Sequence, residues 1–473
     1  MGRKGVVVYD AAGGIFASMR AMAEGEAQIH PGDTDEFAWQ AADNPLPEAV
    51  DVAVVGGGII GVSTAYYLAK QGVSVAVFEK GRIAGEQSGR NWGWVRQQGR
   101  SPVELPLMIE SLGLWRSLPE ALGEDVGFRQ GGTLYLAQDE AELAGLAEWL
   151  AVAREHGLDT RILRGAELAA LFPAGSRWVG AMYTASDGRA EPSRAGRAIA
   201  RGAKGTGAHV LSRTAVRGIE TAAGRVSGVV TEHGHVATRA VVCAAGVWSR
   251  LFCGSLGIRI PQLPVLNSVA RLPPGPELLP GQAWSPAVAI RRRADGGYTV
   301  AHGHSSVHPF VPASFREAFK FLPAFKASPE SVRFRLGREF FSALATPSRW
   351  SLDVESPFER ERVLDPAPAA RELHEMRAAL GRWLPELKEL PFVETWGGMI
   401  ETSPDVLPII GPIEAIGDFY VATGFSGHGF GIGPGAGRLV AGMVCGTADS
   451  ATLARFRLGR FFDGSPIVPG PAI

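Results

Sequence analysis

The clearest chemistry in this chain lies in Gly56-Gly57-Gly58-Ile59-Ile60-Gly61, a G-x-G-x-x-G, and in Glu79, 23 residues after its first glycine. Glycines at this spacing let a backbone turn lie against a pyrophosphate. Gly56 permits the tight turn, Gly58 the close approach of N–H groups, and Gly61 the contact between helix and strand. An acid at the end of the following strand is placed to accept from ribose hydroxyls. The pattern therefore reads as a dinucleotide site, with Ile59, Ile60 and Lys80 as neighbouring cofactor contacts.

Such a turn needs a frame. Residues 52–55 are an apolar, mostly β-branched run, as in a strand buried on both faces. From residue 60 to 70 the spacing becomes helical, Gly72 stops the helix, and residues 73–78 form a second buried strand that delivers Glu79. The helix N-terminus offers free N–H groups and a positive dipole end to phosphate. Two later stretches repeat the device. Residues 236–243 read as a strand entering Ala244-Ala245-Gly246. Residues 419–422 lead into Thr423-Gly424-Phe425-Ser426-Gly427-His428-Gly429-Phe430, then a glycine-rich stretch to Gly437 and a helix from about 436 to 444.

Residues 81–100 contain Ser88-Gly89-Arg90-Asn91-Trp92-Gly93-Trp94 and Arg96-Gln97-Gln98-Gly99-Arg100. Tryptophans among glycines make no amphipathic face, so this reads as an ordered loop that clamps a ligand. The next helix, with Pro106 near its start, places Leu105, Met108, Ile109, Leu112 and Trp115 on one face, as core. Residues 133–136 read as a strand, and Asp139 with Glu142 forms a capping box for a helix ended by Gly157. Pro192 starts a helix to about 204. Strands follow at 209–219, 225–231 and 236–243. From 256 to 390, prolines, arginines and short strand-like pieces such as 298–300 indicate a separate, mostly β domain. His302, His304 and His308 have no carboxylate or cysteine spaced to complete a metal site, and no metal is expected.

At 473 residues the chain exceeds what one core fills, so two domains are expected. A net charge of −1 leaves no electrostatic footprint for nucleic acid or an anionic membrane. Three scattered cysteines, Cys243, Cys253 and Cys445, argue against a disulfide framework. No apolar run is long enough to span a bilayer, and the first 48 residues make a poor signal peptide; they read as a poorly ordered extension. A cytoplasmic protein is expected.

The glycine fingerprint with Glu79, the Ser88-Gly89-Arg90-Asn91 stretch, residues 242–248 and Gly424-Phe425-Ser426-Gly427-His428-Gly429 together resemble the D-amino-acid oxidase/sarcosine oxidase superfamily of FAD-dependent amine oxidoreductases. The resemblance runs from residue 50 to about 461. It implies an α/β fold: a Rossmann-like FAD-binding domain of glutathione-reductase type with a second, mostly antiparallel-β substrate domain. The expected division is an extension 1–48; a discontinuous FAD domain 49–128, 187–260 and 395–450; a substrate domain 129–186 and 261–394; and a tail 451–473.

The resemblance also implies FAD with its adenine end at the first fingerprint, and cofactor contacts from Arg90, Asn91, Trp92, Val216, Ala245, Gly246, Trp248 and Gly398. The turn from Gly424 to Gly437, with Gly427, His428, Gly429, Phe430 and Gly431, is expected at the flavin N1/C2 edge. Sarcosine oxidases attach flavin through a cysteine where this chain has Gly398, so FAD is expected to be non-covalent. They carry a lysine near the substrate carboxylate where Gly431 stands. The implied reaction is oxidation of the C–N bond of an amine or N-substituted amino acid by hydride transfer to flavin N5, followed by imine hydrolysis, with oxygen or an electron carrier as acceptor. His428, Arg96 and Trp396 are the candidate catalytic residues: Arg96 for a substrate carboxylate, Trp92, Trp94 and Trp396 for a pocket wall, His428 to orient the turn. Oxidation of a 2-hydroxy acid, with His428 as base, and a flavoprotein subunit of a multi-protein dehydrogenase are the alternatives.

Overall fold

The computed structural model describes residues 35–470, so the expected extension lies outside the described residues up to residue 34. From Phe37 onward it is not a loose arm. Phe37 is buried, Ser212 N–H donates to its carbonyl (2.8 Å), and Trp39 stacks on His233 with centroids 3.8 Å apart.

Among the described residues, one sheet has eight strands and a second has ten. In the first, Ala49–Val55 pairs in parallel with Val75–Phe78 on one side and Gly234–Cys243 on the other. His209–Leu211 and Phe419–Thr423 extend the parallel set. Residues 52–55 are buried on both faces, as an apolar run in a covered parallel sheet must be. The helices Ile59–Lys70, Pro192–Gly205 and Gly429–Val444 contribute to the core on one side, which includes Trp115 and Val54; Phe252, Phe419 and Phe461 pack in the core on the other.

The helix at Gly429–Val444 starts about seven residues before the expected 436. The glycines counted as turn are helical because two neighbours press on them. An added Cβ at Gly435 would meet Leu107 O at 2.9 Å, and at Gly431 it would meet Trp94 O at 3.0 Å. On the other side, Gly433 faces Ile59 (2.9 Å) and Gly437 faces Ser63 Cβ (2.4 Å). Close packing outweighs the roughly 0.5–1 kcal/mol that each interior glycine costs a helix.

The second sheet is centred on Leu263–Leu272, paired antiparallel along its length with Glu394–Thr402. The strands Thr133–Ala137 and Gly180–Thr184 belong to it, and its core gathers Leu134, Tyr298 and Met376. Residues 395–402, grouped by sequence with the first sheet's domain, lie in this sheet and reach the cleft from it. The stretch 81–100 is not loop throughout: Gln87–Arg90 forms one helical turn and Trp94–Val95 a short strand. The expected strand 209–219 breaks at 212–215, where Arg213 (φ 51°) leaves the sheet. Arg213 and Thr214 donate instead to the carbonyls of Gly81 and Glu79. The helix before Gly157 breaks at Trp149 into Glu140–Glu148 and Leu150–Glu155; Asp139 caps it by accepting from Glu142 N–H (2.8 Å).

His308 holds the Pro264 carbonyl (2.6 Å) and Ser314 Oγ (2.9 Å), and His302 Nδ1 accepts from His304 and Ser305 N–H groups. His302 organises its own loop, and His308 ties its strand Ser306–Pro309 to Leu263–Leu272. No described helix is long and apolar enough to cross a membrane.

Candidate functional site

A cleft runs across the C-terminal ends of the parallel strands, where open α/β sheets bind ligands. Its empty volume, open solvent included, is about 1700 Å³. Its lining runs from the Gly56 turn to the turn at residues 427–430, as a site for an extended dinucleotide requires.

At one end Gly56, Gly58, Ile59 and Ile60 line the cleft. Gly56 has φ 110°, and a Cβ there would lie 2.5 Å from Ala244 O. Gly61 stays out of the cleft, packed so that a Cβ would sit 1.9 Å from Gly56 O. No side chain caps the helix at Gly58, while Ile59 N–H donates to Ser88 Oγ (2.9 Å). Glu79 lines the cleft and also closes the turn, its two oxygens accepting from Gly57 and Gly81 N–H at 2.7 Å each. Burial raises its pKa, with Lys80 and the two backbone donors acting the other way. Lys80 Nζ meets Glu86 (2.7 Å) and lies over the Trp248 ring.

Along the middle, Val216, Ala245, Gly246, Trp248, Ser88, Arg90, Asn91, Trp92 and Gly398 line the wall. Gly89 lies behind it, against Ala84 O. Arg90 is braced by Asp365 (2.5 Å) and Gly397 O (3.2 Å). Trp396, a candidate catalytic residue, does not line the cleft; its indole N–H donates to Arg90 O (2.9 Å) and so supports the wall from behind.

At the far end Gly427, His428, Gly429 and Phe430 line the cleft just where the helix Gly429–Val444 begins. Gly424 and Gly431 do not. Gly424 (φ 68°) turns against Ile409, and the Gly431 carbonyl accepts from Ser111 Oγ (2.7 Å) and Trp115 Nε1 (2.8 Å). The expected N–H donors at this edge are therefore those of Gly427, Gly429 and Phe430, since His428 N–H donates to Phe425 O (2.8 Å).

Arg96 and Arg100 line the same cleft, Arg100 Nη1 3.7 Å from the Glu104 Oε2 that also meets His428. Their loop is held by Asp187, which accepts from the N–H groups of Gln97 (2.7 Å) and Gln98 (3.3 Å) and whose pKa burial raises to about 6. Arg96 donates to Gln98 O and faces the Tyr135 ring. Burial, then Arg96, lower the Arg100 pKa to about 10, which leaves it charged at neutral pH. His428 Nδ1 donates to Glu104 Oε2 (3.1 Å), so its Nε2 keeps a lone pair. Burial, followed by Arg100, lowers the His428 pKa to about 4, and the ring is neutral at pH 7.

Three buried polar atoms in residues lining this cleft make no hydrogen bond among the described residues: Arg100 Nη1, which meets Glu104 Oε2 only as an ion pair at 3.7 Å, Glu401 Oε2 and Asn267 Oδ1. Buried polar groups are ordinarily satisfied, so these three are open to a ligand's groups. The glycine cradle at one end fits a flavin dinucleotide, and further along the set offers one donor, Arg100 Nη1, and two acceptors, Glu401 Oε2 and Asn267 Oδ1. Arg100, Glu104, Asp187, Glu401 and Asn267 were not singled out from sequence. Glu104 lies 324 residues from the histidine it holds, and no spacing rule spans that distance.

A family profile described as FAD dependent oxidoreductase matches residues 51–443. The chain is 26% identical to sarcosine dehydrogenase, mitochondrial, of Homo sapiens over 88% of its own length, yet spans only 42% of that protein. It is 26% identical to sarcosine oxidase subunit beta of Rhodobacter capsulatus, covering 95% of this chain and 97% of that subunit. Among solved structures, L-amino acid deaminase from Proteus myxofaciens, in complex with anthranilate, superposes with a TM-score of 0.84 at 35% identity, covering 88% of this chain and 94% of that one.

Proposed function

From the premise that this chain belongs to the FAD dependent oxidoreductase family, we propose that it oxidises the C–N bond of a carboxylate-bearing amine or amino acid, using non-covalent FAD. The observation that carries the reading is the pair of guanidiniums, Arg96 and Arg100, lining the same cleft as the neutral His428. FAD, when bound, supplies the acceptor for the hydride and its two electrons.

The chain's own residues do the rest. Gly56, Gly58 and Glu79 hold the dinucleotide's adenine half, and the 427–430 turn with its helix N-terminus holds the flavin edge. Arg96 and Arg100 receive the carboxylate; charge-assisted contacts of this kind fix orientation as well as adding affinity. Two guanidiniums close by also disfavour a protonated amine, so the reactive free base is the form the site retains. His428, fixed by Glu104, presents its Nε2 lone pair and orients rather than shuttles protons. At the cleft wall position 398 is glycine, which offers no sulfur for attachment.

The test is anaerobic mixing of purified protein with amines, amino acids and 2-hydroxy acids while flavin absorbance is followed. Bleaching by amino compounds and inert hydroxy acids is expected; the reverse pattern refutes the reading. Acid precipitation should release the yellow colour to the supernatant, and colour kept in the washed pellet refutes non-covalent binding. A second reading is favoured by coverage of 97% of a protein named as a subunit: the chain is a flavoprotein component that works with partner chains. Flavin that no small molecule reduces in the isolated protein would select it.

A further inference from the structure

Glu401 is the penultimate residue of the strand Glu394–Thr402, and it lines the cleft close to the turn that carries His428. Its backbone ties strand to turn, the Glu401 carbonyl accepting from Ser426 N–H (3.1 Å). The side chain is 3% exposed. One carboxyl oxygen meets Phe425 N–H at 3.4 Å, while the other, Oε2, has no partner among the described residues. The Gln87 side chain also lies against it, and Gln87 Nε2 is 3.1 Å from where a Cβ on Gly246 would stand. A dinucleotide reaching from the Gly56 turn to residues 427–430 passes this carboxyl.

Which form of the carboxyl it passes is decided by a second acid, Glu86, whose charge acts on Glu401. Glu86 is well supplied with donors: Lys80 Nζ (2.7 Å), Trp248 Nε1 (3.0 Å) and Leu364 N–H (3.0 Å). Two neighbouring acids resist ionising together, so the negative charge resides where the donors are. The elements packed against Glu401 bring it no free cation. Arg90, on the helical turn Gln87–Arg90, is engaged by Asp365 and Gly397 O, and His428 is neutral. Pro264, opposite Glu401 in the sheet, and Gly246–Trp248 carry no charge. An unpaired carboxylate buried there is costly, so the proton stays. Burial accordingly raises the Glu401 pKa to about 7.

We propose that Glu401 stands in the cleft as a neutral acid and donates from Oε2 to an acceptor atom of the flavin half of FAD, so that cofactor and proton bind together. The proposal rests on the non-covalent FAD of the reading above, and not on which bond is oxidised. It makes Glu401 a cofactor-binding residue rather than a proton carrier for the reaction.

The test titrates the flavin-free full chain with FAD from pH 6 to pH 8.5, following the change in flavin fluorescence. A carboxyl that titrates at about 7 is mostly ionised at pH 8.5, so the parent's apparent affinity should fall about thirtyfold across that range. Calorimetry at pH 8, in two buffers of different ionisation enthalpy, should show about 0.9 proton taken up per FAD bound. Glu401→Gln keeps a donor and stays neutral. It should bind FAD as the parent does at pH 6, without that slope or that uptake; other titrating groups, Asp187 among them, are common to both proteins. An affinity that rises with pH, with weaker binding to the glutamine variant, would make Glu401 an ionised acceptor and overturn the proposal. The same profile in both proteins overturns it as well. If the variant does not fold, absence of proton uptake by the parent does so alone. Failure of the cofactor assignment looks different: neither protein binds FAD at any pH, and the proposal falls with it.

Discussion

Replacing Glu401 by glutamine should flatten the protein's loss of stability with rising pH. Glu401 is 3% exposed, and burial raises its pKa from 4.5 to about 7, assisted by the charge of Glu86 and opposed by hydrogen bonds such as that from Phe425 N–H (3.4 Å). Below about pH 4.5 the carboxyl is protonated in folded and unfolded chains alike and does not discriminate between them. Between 4.5 and 7 the unfolded chain releases its proton while the folded chain keeps it, so stability falls as pH rises through that window. Above 7 the deficit stays constant. A shift of about 2.5 units at about 1.36 kcal/mol each gives about 3 kcal/mol. Glutamine, neutral at every pH, has no such deficit. Flavin-free protein is the material of choice, because a ligand would supply the partner that Oε2 lacks. For a chain of this size 3 kcal/mol corresponds to about 3–6 °C in Tm. Thermal unfolding at pH 5 and pH 8.5 should show the variant gaining that much on the parent between the two conditions. A gap that is the same at both pH values refutes the idea that 401 ionises at a cost in the fold.

Three further outcomes are expected. Glu79→Ala removes an acceptor worth about 1–3 kcal/mol to its partners and frees the Gly57 and Gly81 N–H groups, so the variant should purify partly without flavin and bind added FAD about ten- to a hundredfold more weakly; unchanged affinity would place the carboxylate outside the cofactor site. Arg96→Ala should lower kcat/KM about ten- to a hundredfold for a carboxylated substrate, from a charge-assisted contact of roughly 1.5–3 kcal/mol, and far less for an uncharged amine of similar shape; equal losses on both would make Arg96 a structural residue. Gly437→Ala puts a Cβ at 2.4 Å from Ser63 Cβ and 2.7 Å from Thr64 N, which should destabilise by about 1–3 kcal/mol as overpacking does, read as a lower Tm with the flavin spectrum retained.

What the sequence by itself determined is local. A strand, three glycines, a helix and a terminal acid are contiguous, and each has a steric or hydrogen-bonding reason that needs no distant partner, so Gly56 to Glu79 was legible as a dinucleotide turn and the structure lines its cleft with Gly56, Gly58 and Glu79. The cap at Asp139 was legible for the same reason. Tertiary structure alone decided where contacts from remote segments compete with local preference. Glycine disfavours helix, yet Gly431, Gly433, Gly435 and Gly437 are helical, packed where Trp94–Val95, Leu105–Leu122 and Ile59–Lys70 leave no room for a side chain. Trp396 looked like a pocket wall and became a prop, since Arg90 O, 306 residues away in sequence, takes its N–H. The charge field of the site arises in the same way. Arg100, Glu104, Glu401 and His428 come from three segments, and burial together with the neighbouring charges shifts each pKa only once those segments meet. Desolvation depends on how many neighbours close over a group, a sum over the whole fold that no spacing along the chain contains.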